Sequence, residues 1–108
     1  MESEYTYSLT ETAENDYDRI LDYIVNELLN PGAAASLSDA LEKKLDDLCS
    51  APYSGVEVNN PFLISSDIRK IFVKNLIVYY IVDKANNDIS VIRIGHSLQD
   101  QNRLLSEI

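Results

Sequence analysis

The chain is 108 residues long and 45% apolar, which fits one compact domain with a single core and leaves no room for a second. With 18 acidic against 9 basic residues the net charge is -9, which argues against a nonspecific nucleic-acid binder, because neutralising phosphates takes clustered lysine and arginine. No run of about 18 apolar residues occurs, and the opening Met1-Glu-Ser-Glu-Tyr5 carries acids where a secretion signal needs positive charge, so a cytoplasmic protein that does not span a membrane is expected.

Tyr5 to Leu9 alternates and reads as a short strand. Thr10-Glu-Thr12 then supplies an N-cap hydroxyl and a first-turn acid, so the strand runs into a helix. From Ala13 onward Tyr17, Ile20, Leu21, Ile24, Val25, Leu28 and Leu29 keep the three-and-four spacing of an amphipathic helix, which Asn30-Pro31-Gly32 ends. A second helix starts near Ala33. It puts Ala34, Leu37, Leu41, Lys44 or Leu45, and Leu48 on one stripe, turns Glu42, Lys43, Asp46 and Asp47 outward, and stops at Ala51-Pro52. A connection of about three residues makes two helices antiparallel neighbours, and the apolar stripe of such a hairpin must cover a sheet.

Residues 53–67 contain Gly55, Asn59, Asn60 and Pro61 and read as a loop with a short edge strand at Val56 to Val58. Three consecutive antiparallel strands follow, in the runs Ile68 to Asp83 and Ile89 to His96, with turns at Lys74-Asn75 and Lys84 to Asp88. Leu76 to Val82 is apolar without alternation, as in a strand covered on both faces or central in its sheet. The tail from Leu98 to Ile108 is expected to form a short C-terminal helix. The fold class is therefore α+β: an N-terminal strand, then an antiparallel helical hairpin packed on a three- to four-stranded, mainly antiparallel sheet.

There is no phosphate-cradling glycine loop, no His-x-x-x-His, no cysteine pair and no glycine-flanked nucleophilic serine, so neither a metal nor a cofactor is indicated. The single Cys49 cannot form an internal disulfide and falls at an apolar-face position, where it is expected to pack in reduced form. Charge is unevenly spread. Residues 1–60 hold 3 basic and 13 acidic residues, a balance of -10, and residues 61–108 hold 6 and 5, a balance of +1. Local positive potential is thus possible only on the strands, in a surrounding field that slows a polyanion.

The candidates for chemistry sit at strand ends, which hold a charged group rigidly near solvent. His96 follows Gly95 and carries the side chain best suited to proton transfer near neutral pH; the other reading is a hydrogen bond at a sheet edge. Arg69 opens its strand and could grip a phosphate or an acidic partner side chain with its guanidinium fork, or pair with the acidic helical half. Alternation puts Ile89, Val91 and Arg93 on one face and Ile92 and Ile94 on the other, which places Arg93 on an open face beside Lys70 or Lys74. Glu57 is a further partner-binding candidate in the polar loop. Tyr79 and Tyr80 could stack bases, but in the most apolar strand they are read as core.

The run Tyr5-x-x-x-Leu-Thr-x-Thr-Ala13-x-x-Asp16-x-x-x-Ile20-x-x-Tyr23-Ile24, the turn Asn30-Pro-Gly-Ala-Ala34 and the segment Leu48-x-x-x-Pro52 come in a recognisable order. With Ile68-Arg-Lys-x-x-Val-Lys-Asn75, Tyr80-x-x-Asp83 and Val91-Ile-Arg-Ile-x-His96, the chain resembles the RelE/ParE superfamily of type II toxin-antitoxin toxins, nearer its ParE-like, plasmid-stabilisation branch. The resemblance implies a growth-inhibiting toxin neutralised by a cognate antitoxin. RelE-like members cleave mRNA on the ribosome without metal, whereas ParE-like members poison DNA gyrase. By position, Arg69 and His96 match the functional places of the family. The chain departs from the nuclease pattern, with Ile77 where an arginine often precedes the strand tyrosine and Leu98-Gln99 where a basic pair is familiar. That thins the cations needed at a cleaving phosphate and favours gyrase binding over an mRNA endoribonuclease. A catalytically inactive interaction module is the third reading.

Overall fold

In the computed structural model, residues 5–58 and 67–96 are described. Strand β1 (Thr6–Leu9) leads directly into α1 (Glu11–Asp22), whose Thr10 cap accepts the Ala13 amide at 3.2 Å. The same residue ties the helix start to the sheet, its amide donating to the Val91 carbonyl at 3.0 Å and its hydroxyl to that of Ile92 at 3.3 Å. Helix α2 (Pro31–Ser50) begins with proline at its first position and with Asn30 Oδ1 accepting the Ala33 amide at 3.1 Å. Its predicted stripe is buried at Ala34, Leu37, Leu41, Leu45 and Leu48.

Between the helices the chain departs from its sequence pattern. A π-helical turn, Tyr23–Glu27, follows α1, and the Leu28 amide reaches back five residues to the Tyr23 carbonyl at 3.1 Å. The wider turn shifts the phase of the stripe. Ile20, Leu21 and Ile24 still pack on the core, but Val25, Leu28 and Leu29, expected on the buried side, are exposed at 38%, 56% and 79%. Leu29 closes the segment with φ 51°, a backbone region that L side chains other than Asn and Asp rarely enter. Because its side chain is mostly in water, Leu29→Gly is expected to gain about 0.5–1 kcal/mol, seen as a rise of a few degrees in thermal midpoint. A fall in the midpoint would show that the leucine packs against something that outweighs its backbone cost.

The remaining strands are β2 (Val56–Glu57), β3 (Ile68–Val73), β4 (Leu76–Asp83) and β5 (Asp88–His96), in a sheet ordered β1-β5-β4-β3-β2. The four later strands are antiparallel as expected. Strand β1 joins them as a fifth, parallel to β5 with Tyr7 opposite Ile89 and Leu9 opposite Val91, so the sheet is larger than three or four strands. The β3–β4 turn uses Lys74 at φ 53° and the β4–β5 turn Asn87 at φ 50°. Donation from the Asn86 side chain and amide holds the Asp83 carboxyl below its ordinary pKa.

Both faces of β4 are covered. Leu76, Val78 and Tyr80 join the main core beneath the helices, while Ile77 and Tyr79 form a second cluster with Val58 and Ile68 on the opposite face. Tyr79 and Tyr80 are 1% and 0% exposed, so they are core, as read from the sequence. Cys49 is half-buried against the same core beside Tyr7, and burial first, then Asp46 and Asp88, raises its thiol pKa. The predicted C-terminal helix over Leu98 to Ile108 lies outside the described residues.

Candidate functional site

Strand β5 carries an irregularity opposite Tyr79 and Tyr80: Tyr79 faces Arg93 and Tyr80 faces Val91, which leaves Ile92 as an extra residue. The alternation is therefore broken. Ile89 and Val91 point into the main core before the bulge and Ile94 does so after it, while Ile92 packs on the opposite cluster. Arg93, expected on an open face beside Lys70 or Lys74, is instead 8% exposed and turned towards α1. There its Nε donates to Asp16 Oδ2 at 2.8 Å and its Nη2 to Asp16 Oδ1 at 3.0 Å, and the Ile94 amide adds a third bond to Oδ2 at 3.0 Å. Every buried side-chain polar atom among the described residues has a partner, so this pair is fully satisfied.

Asp16 was not singled out for a role from the sequence. Its signal is an acid three residues after Ala13 and four before Ile20, on the buried stripe of α1, and the answering signal is one arginine between isoleucines in β5. The pair forms the polar end of a groove of about 560 Å³ between α1, the π-helical turn and the ends of β4 and β5. Ile20, Ile24, Leu37, Leu76 and Ile94 give it apolar walls, with Tyr23 and Leu28 exposed on the lip. His96 stands at the rim, where Asn75 Nδ2 lies 3.1 Å from His96 Nε2. With the amide nitrogen as donor, Nε2 accepts and the neutral ring carries its proton on Nδ1.

Arg69 lies elsewhere. Its Nη1 donates to the carbonyls of Tyr53 at 3.1 Å and Gly55 at 2.9 Å, its Nη2 to Glu57 Oε1 at 3.2 Å, and its guanidinium sits 5.2 Å from the Tyr53 ring centre. Tyr80 braces the same loop from below, donating to the Pro52 carbonyl at 2.8 Å and accepting the Gly55 amide at 3.0 Å. Burial raises the Tyr80 pKa, against smaller lowering effects of the Gly55 amide and Arg69. The resulting cleft of about 250 Å³ is lined by Tyr53, Glu57, Asp67, Arg69 and Val82.

Arg69 and His96 therefore do not share a site. Arg69 pairs with Tyr80 and His96 with Leu76, four residues apart on β4 and two strand spacings across, or roughly 16 Å between backbones. Lys70 lies on the face opposite the helices, its Nζ 5.7 Å from the Phe72 ring centre, and Lys74 is exposed in the β3–β4 turn. Among the described residues, no cluster of three or more histidine, cysteine or acidic residues could hold a metal ion, and no helix is long and apolar enough to cross a membrane.

Residues 7–101 match the family model described as ParE toxin of type II toxin-antitoxin system, parDE. The chain belongs to the ParE toxin family. No curated protein sequence matches it. Among solved structures, this ParE-family toxin is similar to a chain of a chromosomal ParDE toxin-antitoxin system from Pseudomonas aeruginosa, at 18% identity and TM-score 0.66, over 85% of this chain and 95% of that one. It is also similar to a chain of the RelBE2 toxin-antitoxin complex from Mycobacterium tuberculosis, at 19% identity and TM-score 0.60, over 85% and 96%. Isolated RelE toxin from Escherichia coli aligns at 21% identity and TM-score 0.56, over 90% and 88%. The α+β fold expected from the sequence is thus the RelE/ParE fold, and the chain is a type II toxin by family.

Proposed function

We propose that this ParE-family toxin acts in the cytoplasm by binding a protein target, DNA gyrase, and is held inactive by a cognate antitoxin. The observation that carries this reading is where the two candidate arginines point. Arg93 is buried against Asp16, and Arg69 is tied to two main-chain carbonyls and Glu57. Cleaving RNA without a metal requires preorganised cations at the phosphate. Releasing either guanidinium would leave carbonyls or a carboxylate unpaired. The groove beside His96 has mainly apolar walls and an exposed apolar lip, the surface a protein segment uses rather than a phosphate chain. The net charge of -9 points the same way.

One observation favours the alternative of a ribosome-dependent mRNA endoribonuclease: His96 stands at the groove rim with its ring oriented by Asn75, a suitable setting for an acid/base group. Pulse labelling after induction of the toxin without its antitoxin separates the two. DNA synthesis is expected to fall first, and His96→Ala is expected to leave growth inhibition within about threefold of the parent. An early fall in protein synthesis, abolished by His96→Ala in a folded variant, would overturn the gyrase reading.

A further inference from the structure

The tip of the helical hairpin exposes apolar side chains that the fold itself does not use. Tyr23, Val25, Leu28 and Leu29 are all exposed there, and Pro31 and Ala33 continue the apolar surface into the first turn of α2. A cluster of this kind on a small protein marks a contact with another molecule, whereas single exposed apolar residues need no explanation. Burial was within reach of the sequence. Plain helical spacing puts Val25, Leu28 and Leu29 on the core side, and the π-helical turn carries them out of it.

The backbone makes the same point. The Leu28 amide donates to the Tyr23 carbonyl and the Asn30 amide to that of Ile24, both at 3.1 Å, so the helix end wraps around Leu29. Its φ of 51° is the conformation that glycine commonly supplies at a helix C-terminus. A leucine there costs backbone energy and, lying mostly in water, recovers little of it by burial. Strain held at an exposed apolar residue points to a contact made outside the chain. Charge then selects the partner. Asp18, Asp22 and Glu27 are exposed in the same stretch, Arg19 is the only cation among residues 18–33, and the first 60 residues carry the whole negative excess. A nucleic acid, an acidic segment and a second copy of the chain would each bring more negative charge and are disfavoured alike.

We propose that the hairpin tip is the surface with which the toxin grips gyrase, Leu28 and Leu29 entering an apolar hollow of the enzyme while Asp22 and Glu27 meet lysines and arginines at its border. An enzyme that holds DNA must present clustered cations to neutralise phosphates, so gyrase offers the basic surface that the tip requires. Apolar anchors in the middle of the contact supply affinity, and the carboxylates around them supply orientation and rate of encounter. The inference rests on the gyrase reading of the function and gives that reading a contact surface. It also adjoins the groove, since Tyr23 and Leu28 form the groove's lip.

The test measures inhibition of supercoiling by purified gyrase on relaxed plasmid, using the full chain and three variants, together with the thermal midpoint and solution size of each. Leu29→Gly is expected to raise the midpoint and yet to need at least about fivefold more toxin for half-inhibition, and Leu28→Ser combined with Leu29→Gly at least about tenfold more. A merely structural leucine would not move stability and inhibition in opposite directions. Asp22→Lys combined with Glu27→Lys is expected to weaken inhibition at least about fivefold, and both side chains are exposed, so the fold should persist. Failure of the parent chain to inhibit gyrase would overturn the gyrase reading and this inference with it. Inhibition by the parent that the leucine variants share in full would overturn the inference and leave the gyrase reading standing. A midpoint that falls in step with inhibition would assign Leu29 to the fold, and undiminished inhibition by the lysine variant would remove the basic partner; either overturns the inference. So does a parent dimer that the leucine changes dissociate, which would give the tip to a second copy of the chain.

Discussion

Asp16→Ala is expected to cost about 3–5 kcal/mol of stability, enough to leave much of the protein unfolded at growth temperature if its total lies within the usual 5–15 kcal/mol. The substitution removes a carboxylate that is 7% exposed and accepts three hydrogen bonds, leaving the Arg93 guanidinium buried at 8% exposure with its charge unanswered. The Ile94 amide loses its acceptor as well, at the point where β5 recovers its alternation after the bulge. Removing one partner of a buried pair is costly because desolvation of the other continues without compensation. The same reasoning predicts that Asp16→Leu combined with Arg93→Met recovers most of the loss, since neither charge remains to be buried. Urea denaturation of the three proteins checks both statements. A single variant within about 1 kcal/mol of the parent would mean that water reaches Arg93 and that the pair is not sealed.

How much of this was legible beforehand depends on whether a residue's neighbours lie close in sequence. The α2 stripe and the apolar run of β4 were visible because each is set by a local period, and both are buried as expected. The Asn-rich second turn was visible through the backbone preference of asparagine, and Asn87 takes φ 50° there; in the first turn it is Lys74, not Asn75, that is left-handed, which its residue type does not signal. The failures come from a face whose cover the pattern does not show and from places where one residue shifts the count. Alternation groups Arg93 with Ile89 and Val91 on a face read as open, which the helices in fact cover; the single extra residue in β5 shifts the alternation so that Ile94 returns to that face, and the π-helical turn moves Val25, Leu28 and Leu29 out of the buried stripe. Nothing in the local pattern signals either event, because both are fixed by contacts far along the chain. The role suggested for Arg69 depended on its reach. A guanidinium at a strand start looks available for a phosphate until folding brings the Tyr53 and Gly55 carbonyls beside it, and main-chain acceptors leave no mark in a sequence. Placing β1 next to β5 in parallel was likewise hidden, since the helical hairpin and then β2, β3 and β4 separate the two strands along the chain.

Gly55→Ala is expected to cost roughly 2–5 kcal/mol, combining overpacking with disturbance of a buried hydrogen-bonded hydroxyl. A Cβ at this position would lie 2.9 Å from the Lys70 carbonyl oxygen and 2.8 Å from Tyr80 Cε1, and closer still to the Tyr80 hydroxyl. Neither neighbour can easily yield: one is main chain within the β2–β3 pairing, and the other is a fully buried ring whose hydroxyl bridges the Pro52 carbonyl and the Gly55 amide. Tyr80→Phe alone is expected to cost about 1–3 kcal/mol, because it leaves that carbonyl and amide without their shared partner. The two changes should not add. Deleting the hydroxyl removes the nearest clash, so Gly55→Ala should be at least about 1 kcal/mol milder in the phenylalanine background, a coupling a double-mutant cycle measures directly. Additive costs would place the strain on the Lys70 carbonyl and the ring carbon, both of which Tyr80→Phe leaves in place. The stake extends beyond stability, because the loop held by Tyr80 supplies the Arg69 acceptors. Loosening it should release the guanidinium from Tyr53 and Gly55, and a folded Gly55→Ala variant that acquired RNA cleavage would show that these carbonyls help withhold Arg69 from phosphate.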